Sequence, residues 1–161
     1  MPNWCEGFLK IRGDRQNIKN FLLNGLIAYD WGVRTNFVEI PKENSVELRC
    51  EYDDEIIIQI NYEAHITGTK RAFAMEDTVC IESYDNRLPI TTIKIKQAWD
   101  MKANDFLPLA KKYKVDFRLF GYEKGQEFTR DIIIENGIIK KDLTERYENW
   151  NWECPLSELG G

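Results

Sequence analysis

Residues 4–25, WCEGFLKIRGDRQNIKNFLLNG, decide the fold, because they hold a strand, a break and a helix in direct succession. From Trp4 to Arg12, Leu9 and Ile11 share one side, while Phe8, Lys10 and Arg12 share the other. That is the two-residue period of an extended chain. Gly13-Asp14 interrupts it. Asp14 suits a helix N-cap, since its carboxylate can accept from the free N–H groups of a first turn. Ile18, Phe21 and Leu22 then recur on one helical stripe. Asn24-Gly25 is the stop, because glycine accepts the left-handed conformation that often follows a helix.

Working outward, Val46–Tyr52 and Glu55–Tyr62 read as strands around an Asp53-Asp54 turn, with Ile56, Ile58, Ile60 and Tyr62 alternating against Gln59 and Asn61. Residues 26–45 are less regular, and Trp31-Gly32 and Pro41 mark a surface excursion. The stretch 67–77 reads as a connection or one turn of helix. Thr78–Tyr84 is a strand closed by the turn cluster Asp85–Pro89. In Thr91–Trp99, Ile93, Ile95 and Gln97 lie opposite Thr92, Lys94 and Lys96. A second helix is expected over Ala103–Tyr113, with Phe106, Leu107 and Ala110 as its apolar stripe and Asp100 or Asn104 as its cap. Pro108 is tolerable there only near the first turn. Val115–Glu123, Gln126–Glu135 and Ile138–Leu143 follow as strands. Asn136-Gly137 is the best hairpin turn in the chain, since both residues tolerate positive φ.

This order predicts an α+β sandwich, a mainly antiparallel sheet covered on one face by two helices. Its natural version is a ferredoxin-like topology with extra β-hairpins. The 161 residues read as a single domain, with a core over about 4–143 and a Trp-rich tail over 144–161. The tail is expected to pack back or to act as a sticky end.

Composition excludes several functions. Lys and Arg number 22 against 27 Asp and Glu, a net charge of -5. A general polyanion binder carries a basic footprint, so nucleic acid is not expected as a direct ligand. Five charges are also too few for mimicry of DNA. No apolar run approaches the roughly 20 residues of a bilayer span. The opening Met1–Glu6 lacks the basic start and apolar stretch of a signal peptide, so the chain is expected to stay where it is made, in the cytoplasm.

Cys5, Cys50, Cys80 and Cys154 form no C-x-x-C pair and read as reduced thiols. The single histidine, His65, excludes multi-histidine metal centres and reads as a turn or strand-end residue, with a Cys-His dyad formally open. There is no phosphate-cradling glycine loop and no G-x-S-x-G. Catalytic, metal and cofactor residues are therefore not assigned.

The candidates that remain are surfaces. Glu51, Asp53, Asp54 and Glu55 form an acidic turn, either a solvated hairpin tip or a contact for a basic partner. Lys94, Lys96 and Arg118 can share a sheet face with Phe120 and Tyr122, which as an open face would resemble a platform for single-stranded RNA. The plain alternative is a solvated or helix-covered face. Lys111, Lys112 and Lys114 suit the negative end of a helix dipole, and Lys140-Lys141 suits an edge strand. Trp31, Trp150 and Trp152 are candidate interface anchors, or patches of satellite core clusters.

Three segments carry a resemblance. Met1-Pro2-Asn3-Trp4-Cys5-Glu6 with Leu9–Gly13, Ala98-Trp99 before the second helix, and Phe117–Gly125 with Phe128 resemble the YubB-type ferredoxin-like domain family of small phage, prophage and plasmid proteins. At the second segment Asp100 and Met101 replace the family's Ser and Pro. Trp31-Gly32 is similar to the family's Trp-Gly element. The resemblance implies the fold and a mobile-element origin, and it implies no catalytic residue.

Mobile-element origin and acidic charge together suggest a non-enzymatic interaction protein. The specific expectation is a counter-defence inhibitor of the anti-CRISPR type, binding a host defence protein such as a Cas nuclease (Cas9) and blocking DNA access or nuclease-domain movement. The alternatives are a nucleic-acid module using the sheet face, or an enzyme built from carboxylates with Cys80 or His65.

Overall fold

The computed structural model describes residues 3–30, 38–39, 45–61, 63–83 and 87–161. The expected opening is present: strand β1 (Trp4–Arg12) runs into helix α1 (Arg15–Gly25). Asp14 caps α1, its side chain accepting from the Gln16 N–H at 2.9 Å. Gly25 ends the helix for a different reason from the one expected. The chain leaves it extended, and a Cβ there would lie 2.9 Å from the Phe21 ring, so what Gly25 supplies is room.

Strands β2 (Leu26–Asp30), β3 (Val38–Glu39), β4 (Val46–Glu51), β5 (Glu55–Ile60), β6 (Ala64–Ile66), β7 (Ala72–Ala74), β8 (Thr78–Glu82) and β9 (Ile90–Ala98) lead to helix α2 (Ala103–Tyr113). Strands β10 (Asp116–Glu123), β11 (Phe128–Glu135) and β12 (Ile138–Arg146) follow, and a short helix α3 (Trp150–Glu153) lies in the tail. Asn136 and Gly137 turn the β11–β12 hairpin with φ of 52° and 68°. The expected strand ends at Tyr62 and Tyr84 and the turn residues Asp85-Asn86 lie outside the described residues, as do Trp31-Gly32 and Pro41.

The fold is α+β with mostly antiparallel pairing and three helices. Nine strands form one sheet in the order β12-β11-β10-β1-β9-β7-β6-β2-β3. Strands β4, β5 and β8 form a second sheet, in which the expected β4–β5 hairpin pairs with β8. The ambiguous stretch 67–77 contributes β7, which with β6 stands between β9 and β2. Three-residue strands are too short to show a period, so the sequence does not announce them.

Alternation along the strands gives the large sheet two faces. Leu9, Ile11, Ile93, Ile95, Phe117, Leu119, Ile132 and Ile134 are buried on the inner face. Both long helices close on that face. Phe117 meets Phe21 of α1 at 5.1 Å and Phe106 of α2 at 6.2 Å, edge to face in each case. The second sheet adds Ile56, Ile58 and Ile60 to the same core beside α1.

Two expectations for α2 are corrected. Neither Asp100 nor Asn104 caps it, because Lys102 occupies that position without a side-chain bond. Pro108 sits well inside the helix, past its first turn, where it leaves one carbonyl without its helical donor.

Candidate binding surfaces

The residues singled out in the sequence fall into separate places. The acidic turn joins β4 to β5 and is docked on the start of α1. Arg15 donates to the carbonyls of Asp53 (2.8 Å) and Tyr52, and Gln16 donates to Glu51 at 2.8 Å. Lys19 pairs with Glu51. These bonds, that from Lys19 foremost, hold the Glu51 carboxyl below its usual range. Glu55 accepts from the Cys80 thiol at 3.4 Å. Half of the acidic cluster is thus engaged within the fold, and Asp53 and Asp54 remain exposed.

The tryptophans lie elsewhere. Trp31 is outside the described residues. Trp150 is only 3% exposed. It packs with Tyr122 and Cys154 against the outer side of the sheet, stands edge-on to Tyr147 at 5.4 Å, and donates its indole N–H to the Ser157 carbonyl at 2.8 Å. Its ring fastens the tail as part of a satellite cluster, the second of the two readings given for it. Trp152, two residues on and so on another side of the short helix, is 85% exposed. The tail then reaches β1, where Trp4 and Gly161 exchange two backbone hydrogen bonds of 3.0 and 3.1 Å.

Register places this tail at the Trp4 end of β1, since Glu6 faces Tyr122. The acidic turn sits on Arg15, just past the Arg12 end. Eight steps of about 3.3 Å separate Trp4 from Arg12, so about 26 Å of strand lies between the two groups. They do not form one patch.

The Trp4 end holds a residue not proposed as an anchor. Trp99 has φ of 71° and is 60% exposed. A bulky side chain seldom takes that conformation. It is held there from both sides: Ala98 pairs with Trp4 in the sheet, and the Trp99 N–H donates to the Asn3 carbonyl at 2.8 Å. The sequence signal was the Ala98-Trp99 dipeptide of the resemblance.

The outer face of the large sheet brings a further set together. One cross-strand row runs Thr92, Lys10, Arg118, Ile133, Lys141, and the next runs Lys94, Phe8, Phe120, Asp131, Leu143. Of the five residues expected on this face, Lys94, Arg118 and Phe120 join these rows. The other two are engaged: Tyr122 is buried under the tail, and Lys96 pairs with Glu63 and lies 4.8 Å over the Trp4 ring. Phe8, Lys10 and Lys141 are additions that sequence reasoning missed.

The nucleophile candidates are unactivated. Burial pushes the Cys5 thiol up to about 12. Partial desolvation, then the bond to Glu55, raises Cys80. A reactive cysteine needs the opposite shift. Burial lowers the pKa of His65, whose ring Nε2 lies 3.2 Å from the Thr69 carbonyl oxygen. His65 belongs to the large sheet and Cys80 to the small one, so the fold builds them on separate sheets. Among the described residues no group of three or more His, Cys, Asp or Glu side chains could hold a metal ion. Among the described residues no helix is long and apolar enough to cross a membrane. Comparisons with known protein families, with curated proteins and with solved structures find no match.

Proposed function

We propose that this chain is a non-enzymatic interaction protein of a phage or prophage, acting in the bacterial cytoplasm as a counter-defence inhibitor of the anti-CRISPR type. Its target would be a Cas nuclease. The observation that carries the interaction reading is Trp99, a large ring held exposed in a left-handed conformation. Backbone strain of this kind persists where the surrounding structure enforces it, and it clusters at binding sites. Exposed Trp152 is the second candidate anchor, on a tail made rigid by Trp150. Tryptophan is enriched among the few residues that dominate interface energy. The choice of a Cas nuclease rests on the mobile-element resemblance and the net charge of -5.

The same resemblance supports the finer, ferredoxin-like reading of the fold. Strands β10, β1 and β9 are neighbours, the two long helices follow β1 and β9, and β2 lies beyond β9. In this reading β6 and β7 are an insertion, and the chain belongs to the YubB-type group.

The test is target cleavage by a purified, guide-loaded Cas nuclease with the protein added. Slowed cleavage is expected. Trp99→Ala and Trp152→Ala together should weaken inhibition at least tenfold, since an anchor ring contributes about 2 kcal/mol or more. No binding and no slowing would remove the Cas target. A host partner that loses affinity for the double variant would then keep the interaction reading alone.

A further inference from the structure

We infer that the outer face of the large sheet binds single-stranded nucleic acid across β9, β1, β10 and β12, independently of any Cas target. The composition argued against such a ligand, but the charge that does so is an average over the chain. The two middle rows of this face hold four cations, Lys94, Lys10, Arg118 and Lys141, against one carboxylate, Asp131. Asp131 is shared between Arg118 at 3.2 Å and Lys141 at 2.6 Å. Lys10 and Lys94 form no ion pair among the described residues, and both are exposed. An acidic protein thus carries a basic band on one face.

Within that band Phe8 and Phe120 are direct cross-strand partners and only half-buried. Facing Cβ atoms in an antiparallel pair stand about 5 Å apart, so the two rings rise from neighbouring points on the face, that of Phe120 leaning on Tyr122 at 5.3 Å, and offer two surfaces for bases. Lys94 lies beside Phe8 in its own row, and Lys10 and Arg118 lie beside the two rings in the next row. Each ring therefore has a cation at a neighbouring position on its face, Lys94 and Lys10 beside Phe8 and Arg118 beside Phe120, to meet the phosphates of a stacked strand. Neither long helix reaches this face, because α1 and α2 both pack on the inner side. The tail covers the Tyr122 end, and the half-buried Phe120 ring packs against the edge of that Tyr122–Trp150–Cys154 cluster. An acidic peptide would use the cations but would have no need of two adjacent rings, and duplex DNA hides its base faces. The pattern fits an unpaired strand best.

The test is fluorescence anisotropy of the full chain with labelled oligothymidine and oligouridine of about 12 nucleotides, and with the matching duplex. Binding to at least one single strand is expected, several-fold tighter than to the duplex; the two strands show whether DNA or RNA is preferred. With three phosphate contacts, affinity should fall about twentyfold between about 50 and 200 mM salt. Phe8→Leu and Phe120→Leu keep apolar bulk and remove the rings, and each should weaken binding about tenfold. Lys10→Gln and Lys94→Gln alter exposed side chains and should make the salt dependence shallower. No binding at low salt overturns the inference. So does binding that the four substitutions leave unchanged, or equal affinity for duplex. Binding confined to a phosphorylated or acidic peptide also overturns it. None of these results bears on Trp99 and Trp152.

Discussion

Arg130→Met should lower stability by about 3 kcal/mol near neutral pH. Arg130 comes from β11 yet is 9% exposed. Its guanidinium donates to the Met101 carbonyl and pairs with Asp100, each at 3.1 Å, and reaches Asp142 and Thr144 on β12. It therefore ties the β11–β12 hairpin to the segment that enters α2. Methionine fills most of the volume but leaves the carboxylates uncompensated. The loss sits at the low end for a broken buried pair, because Asp100 and Asp142 are each about a third or more exposed.

This loss should depend on pH. Burial, its largest influence, raises the Asp100 carboxyl, and Arg130 is the main opposing influence. Without Arg130 the folded form holds that proton more firmly still. Between the unfolded and folded pKa values the folded state then binds more protons than the unfolded chain. Stability of the variant must fall as pH rises through this window. The deficit relative to the parent should be full at about pH 7 and smaller at about pH 4.5. Urea denaturation at both pH values measures it. An equal deficit at both would mean that the uncompensated carboxylates are not its source.

Gly7→Ala should cost a similar amount by a different route. Gly7 faces Gly121 across the β1–β10 pair, one residue from the Phe8–Phe120 pair. A Cβ on Gly7 would lie 1.9 Å from the Phe120 carbonyl oxygen and 2.8 Å from the Gly121 Cα. Both are backbone atoms, so relief requires parting two central strands. Overpacking ordinarily costs about 1–3 kcal/mol, and this contact belongs at or above the top of that range. The melting temperature should fall by about 6–12 °C. Gly121→Ala is the control. Its Cβ would approach the Met101 and Cys5 sulfurs at 2.5 and 2.8 Å, and those side chains, Met101 above all, can give. Circular dichroism melts should therefore place Gly121→Ala between Gly7→Ala and the parent. A Gly7→Ala melt within about 2 °C of the parent would contradict the close approach of β1 and β10.

Much of the framework was legible because it is local. The alternation of Leu9 and Ile11 against Phe8 and Lys10, the cap at Asp14, the stripe Ile18-Phe21-Leu22 and the Asn136-Gly137 turn are each decided within a few residues. The three-residue strands β6 and β7 were not legible, and neither was the division into two sheets. Those depend on which distant segment completes a ladder of hydrogen bonds.

The candidate surfaces divide in the same way. Sequence alone could say that Phe8 and Lys10 share a side of β1, and that Phe120 and Arg118 share a strand. It could not say that the two strands are neighbours in this register. It could name Trp150 and Trp152 but not separate them, since only the packing of the tail buries one and leaves the other in water. A net charge of -5 is a property of the chain as a list. A band of four cations around one carboxylate is a property of strand pairing. Strand periodicity fixes the face on which a side chain lies; the identity of its neighbour across the sheet is set by long-range pairing, and that pairing decides what the face can bind.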